Sequence, residues 1–132
     1  LAFVPLLFAA DFVVVANMGV SAGALAKTDI QAIFLGTKTR WDDGMPVKIA
    51  VLEGGGASKA FLRNIVGKTP SQFENYWQKL VFAGKATAPK TFDDSSGVIK
   101  FVSGTSGAVG FVGEGQANGA VKTIIIRQES SR

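Results

Sequence analysis

The chain of 132 residues contains no cysteine and no histidine. Disulfide scaffolds, thiolate or imidazole metal sites, and nucleophilic machinery of the Cys–His or Ser–His–Asp kind are thereby excluded. Tyr occurs once and Trp twice, so the ten Phe residues carry most of the aromatic mass available to a core. Clustered positive charge is missing as well. The 14 Lys and Arg outnumber the 10 Asp and Glu, yet no two basic residues are adjacent. Dispersed, solvated charge is the reading, and no nucleic-acid partner is expected, because such partners call for a concentrated basic face. Long apolar runs are lacking too: the run from Leu1 toward Ala16 is interrupted by Asp11. No transmembrane segment is expected.

What is present points to a folded domain. Hydrophobic residues make up 47% of the chain and glycine occurs 16 times, which suits short elements joined by tight turns. Residues 1–10, almost wholly apolar and ending in Phe8-Ala9-Ala10, read as a signal-peptide remnant or an apolar N-terminal arm. Residues 11–132 read as one domain without repeat or linker. Phe12 to Ala16 is β-branched and predicts a buried strand. Thr28 and Gln31 have capping-box spacing, which predicts a short helix over 29–34 stopped by Gly36. A strand is expected over Lys48 to Leu52, then a helix from Ser58 to Val66 with Phe61, Leu62 and Ile65 inward. Thr69-Pro70-Ser71-Gln72 is a helix start with Thr as N-cap, Pro at N1 and Gln at N3. The stripe Phe73, Tyr76, Trp77, Leu80 and Val81 that follows is read as core packing. Asp94 or Ser95 caps a further helix, and Val109 to Val112 and Val121 to Ile126 are the last strands. Strands alternating with helices predict an α/β sandwich with a mostly parallel sheet.

Two kinds of residue could carry chemistry. Gly54-Gly55-Gly56-Ala57-Ser58-Lys59 follows a strand and opens a helix. Backbone N–H groups, the Ser58 hydroxyl and the Lys59 ammonium are there the candidate ligands of an oxyanion, with Gly55, Gly56, Ala57, Ser58 and Lys59 as the site. The spacing is neither that of a Walker A loop nor that of a dinucleotide fingerprint. Asn17, Thr105 and Ser106 are a candidate secondary rim. The pairs Asp42-Asp43 and Asp93-Asp94 are read as turn and cap residues, and Asp42-Asp43-Gly44 is not a calcium loop. No catalytic set, metal site or cofactor is expected.

Taken in order, Phe34-Leu35-Gly36, Arg40-Trp41-Asp42-Asp43-Gly44, Glu53 to Phe61, Phe82-Ala83-Gly84-Lys85 with Pro89, and Gly107 to Val112 resemble the periplasmic phosphate-binding protein family, the solute receptors of phosphate ABC transporters. The resemblance runs from about Phe12 to Val112. It implies a single-lobe, type II periplasmic-binding-protein-like fold, a non-enzymatic role, a small anion such as phosphate as ligand, and a periplasmic or extracellular place in a bacterial envelope. The family loop commonly reads Arg, Ser, Asp, Gly, Ser, Gly, Thr. Laid on this chain, it places Glu53 at the Arg, Gly55 at the Asp and Ala57 at the Ser, while Gly56 matches. Weak oxyanion binding is therefore the expectation, with a self-associating structural subunit of the envelope as the alternative: a lone lobe leaves a cleft face open, and an exposed apolar face favours homo-oligomers.

Overall fold

The computed structural model describes residues 11–127. The reading of residues 1–10 as a signal remnant or arm lies outside them. Among the described residues six strands form one sheet in the order β2-β6-β1-β5-β3-β4. They are β1 (Phe12–Ala16), β2 (Ala24–Ala26), β3 (Lys48–Leu52), β4 (Lys90–Phe92), β5 (Ala108–Gly113) and β6 (Lys122–Arg127). Five run the same way. Only β1 is reversed, pairing antiparallel with β5 and β6 on its two sides. Among the described residues four α-helices flank the sheet: α1 (Lys27–Phe34), α2 (Gly55–Phe61), α3 (Pro70–Phe82) and α4 (Ser95–Gly104). The mostly parallel α/β fold expected from the sequence is the one observed.

Adjacent strand residues face opposite sides, and this fixes the layers. Phe111 of β5 stacks on Phe61 of α2 with centroids 4.0 Å apart. Its neighbour Gly110 points the other way, where an added Cβ would lie 3.0 Å from Val98 of α4. Phe34 of α1 and Phe12 of β1 close edge-on around Phe61, at 4.8 and 5.4 Å. This four-phenylalanine cluster is the centre of one layer.

Local signals explain two of the four helix starts, those of α3 and α4. Thr69 accepts from the Gln72 N–H at 3.1 Å while the Gln72 side chain takes the Thr69 N–H at 2.9 Å, so the predicted capping box of α3 is formed. Thr69→Ala is expected to cost about 1 kcal/mol, read as a lower urea midpoint with an unchanged slope. Asp94 caps α4 by accepting from Gly97 at 2.9 Å. That bond, and then one from the Ser96 hydroxyl, hold its carboxyl below the usual carboxylate range. Asp42 pairs with Lys38 and Asp43 accepts from Met45 within its turn, as expected of turn residues.

Three expectations are corrected. Thr28 and Gln31 do not make a capping box. Helix α1 starts at Lys27 with Ala26 as a cap that offers no side-chain bond. The strand β2, paired with β6, runs the backbone straight into the helix, and the Gln31 amide is drawn instead to the Val66 carbonyl at 3.0 Å. Helix α2 starts three residues before the expected Ser58. It then runs into a π-helical turn, Leu62–Val66, where the Gly67 N–H reaches back to Leu62 at 2.7 Å. The three-residue strands β2 and β4 are additions to the expected set.

Candidate functional site

The parallel strands β3, β4 and β5 deliver Glu53, Asp93 and Glu114 to one edge of the sheet, and the reversed β1 starts there at Asp11. All four carboxylates are exposed. In such sheets ligands are met at this carboxyl edge. The turn from β3 into α2 lies here. Gly54 and Gly55 have φ of +79° and +83°, a conformation open to glycine and strained for other residues. Nothing lies within 4 Å of a Cβ placed on Gly54, Gly55 or Gly56, and no side chain caps the start of α2. The start of α2 is thus exposed and uncapped by any side chain.

Of the residues predicted from sequence, the structure brings Gly55, Gly56 and Ala57 together at that exposed helix start. Lys59 is exposed on the next turn. Ser58 differs. It is only 3% exposed and forms part of the wall of a cavity. Asn17, Thr105 and Ser106 do not join this group. They lie at the opposite edge, a full β5 length away, about 17 Å at 3.3 Å per residue. Because β1 is antiparallel, Asn17 leaves it at the amino edge of β5, where its amide donates to the Val102 and Ser103 carbonyls at 2.9 and 3.1 Å and ends α4. Thr105 accepts from the Ala108 N–H in the turn before β5. These are structural tasks.

The cavity was not foreseen. About 450 Å³ in volume, it lies between α2, α3 and the edge strand β4, and Glu53, Gly54 and Ser58 belong both to it and to the glycine turn. Its existence follows from how α3 is held. Trp77 donates to the Phe34 carbonyl at 3.1 Å and Tyr76 to the Leu35 carbonyl at 2.6 Å, which fixes α3 to the end of α1. The other flank of α3 then stands away from α2 and β4. The expectation that the stripe on α3 packs into the core holds for Phe73 and Trp77 and in part for the half-buried Tyr76 and Leu80, but not for Val81, which is 42% exposed where α3 nears its end and lines this hollow. Phe73 and Trp77 are buried, but both also face this hollow. Glu74, between them in sequence, was the available hint of a polar group beside it.

Among the described residues no group of three or more Asp or Glu could hold a metal ion, and no helix is long and apolar enough to cross a membrane.

No protein-family model and no curated protein sequence matches the chain. Solved structures do match it in fold. An ABC-type phosphate transport receptor from Vibrio cholerae superposes with a TM-score of 0.65 at 16% identity, over 88% of this chain and 46% of the receptor. A putative phosphate ABC transporter substrate-binding protein from Clostridium perfringens, solved with bound phosphate, gives 0.68 at 16% identity, over 88% and 44%. The protein PstS of Borrelia burgdorferi gives 0.66 at 10% identity, over 92% and 49%. The chain spans less than half the length of each. Its fold is thus that of one part of a phosphate ABC transporter substrate-binding protein.

Proposed function

We propose that this domain is a non-enzymatic solute-binding module of the bacterial envelope that takes a small oxyanion such as phosphate, weakly, at the β3–α2 turn. The observation that carries the reading is the start of α2: an exposed glycine turn at the carboxyl edge of the sheet, opening a helix whose first N–H groups no side chain caps. The fold shared with a phosphate-bound receptor supports it.

Two features set the strength low. A helix start contributes about 0.3–1 kcal/mol to a surface anion. Glu53, exposed immediately before the turn, acts against it, as do the other carboxylates of that edge. Calorimetry at low salt is expected to give saturable but weak binding of phosphate, with sulfate and arsenate similar. Glu53→Gln should tighten it about threefold, and Lys59→Ala should weaken it about twofold. Absence of heat at millimolar phosphate in both the parent chain and Glu53→Gln would sink the reading.

A further inference from the structure

The cavity beside the turn has a chemistry opposite to that of an anion site. Its walls are apolar and aromatic, from Leu62, Phe73, Trp77, Phe82 and Pro89. Among the described residues the charged ones that line it are Glu53 and Glu74, with no Lys or Arg, in a chain whose net charge is +4. The volume suits a small organic molecule. Ser58 supplies an independent pointer. It is 3% exposed, and among the described residues its hydroxyl has no side-chain hydrogen bond. Among the described residues no fully occluded side-chain oxygen or nitrogen is left without a partner. Ser58 thus places a hydroxyl, able both to donate and to accept, in the wall of a largely apolar cavity.

We propose that this cavity binds an organic cation with an apolar body, of the aralkylamine class. The hydrocarbon part enters between α2 and α3, against Leu62 and Phe73. The ammonium group sits where Glu53 and Glu74 supply negative charge, with an aromatic face of Trp77 or Phe82 able to add cation–π attraction. Ser58 accepts a hydrogen bond from the ligand. Strand addition by a peptide along β4 is disfavoured, because that free edge is three residues long and is preceded by Pro89. The inference stands apart from oxyanion binding: Glu53 opposes an anion on the turn and favours a cation in the cavity.

The experiment is an NMR titration of the full chain with three probes of similar shape: phenethylammonium, 2-phenylethanol and 3-phenylpropanoate. Saturable shifts are expected at the Ser58 and Glu74 amides and the Trp77 indole with the ammonium. The ammonium should bind at least about threefold tighter than the alcohol, and the propanoate least of all. Glu53→Gln and Glu74→Gln, both at exposed positions, should remove that preference while leaving alcohol binding unchanged. Equal binding of ammonium and alcohol would overturn the proposal and leave an apolar pocket without charge selection. Tighter binding of the propanoate, or no shift at these three groups with millimolar ammonium, would overturn it as well. Phosphate added alone reads the Gly56 and Ala57 amides, so either proposal can fail without the other.

Discussion

Phe61→Ala is expected to cost about 4 kcal/mol, enough to remove much of the stability of a domain this size. Phe61 is fully buried and lies at the meeting point of three other rings: stacked on Phe111, edge-on to Phe34 and edge-on to Phe12. These rings come from α1, α2, β1 and β5, so one truncation empties the junction of four elements. Removal of the ring loses the transfer free energy and leaves a cavity whose walls are other phenyl groups, which cannot collapse into it without leaving their rotamers. Aromatic geometry adds about 0.5–1.5 kcal/mol per pair beyond area. Phe61→Leu keeps most of the volume and should cost distinctly less. The two variants, compared by urea denaturation with an unchanged slope, separate lost volume from lost ring geometry. A cost for Phe61→Ala below about 2 kcal/mol would mean that α2 is not anchored through this cluster.

The second large effect is expected at Gly107. Its φ is +77°, and a Cβ there would lie 2.1 Å from the Pro46 carbonyl oxygen, a backbone atom that cannot rotate away. The same glycine holds that edge of the sheet together. Its carbonyl accepts from the Trp41 indole at 2.9 Å and from the Lys48 N–H at 3.1 Å. Left-handed backbone alone costs a non-glycine residue about 1–2 kcal/mol. Relieving the clash must also displace the carbonyl and loosen both bonds, each worth about 1 kcal/mol. Gly107→Ala should therefore lose about 3 kcal/mol or more and free Trp41, seen as a red-shifted emission. Gly115→Ala is the control: its φ is +81°, but an added Cβ meets nothing within 4 Å, so the cost should stay near 1–2 kcal/mol. Equal losses at the two positions would show that φ matters and the Pro46 contact does not.

Much of the scaffold was legible because its causes are local. The Thr69 capping box, the Asp94 cap and the alternation of β-branched strands with apolar helices need only neighbours in sequence, and each forms. Strands β2 and β4 were not legible. Ala24-Leu25-Ala26 and Lys90-Thr91-Phe92 carry no period of their own and are strands only because β6 and β3 pair with them. The same pairing overrode the Thr28–Gln31 signal, since a backbone delivered by β2 has no need of a side-chain cap there.

For the site the division is sharper. The sequence by itself determined the glycine turn between β3 and α2, because consecutive glycines after an apolar run leave the backbone free to take positive φ. It also determined that Glu53 stands beside that turn and that thiolate or imidazole chemistry is absent. Tertiary structure decided the rest. The direction of β1 is set by its partners, and its reversal sends Asn17 to the far edge. The hollow beside α3 exists because Trp77 and Tyr76 fasten that helix to α1, which leaves a gap that no periodicity records. Helical spacing states which face is apolar. Only the packing of distant elements decides whether that face is filled by protein or left open, and which distant carboxylates, here Glu53 and Glu74, stand around the opening.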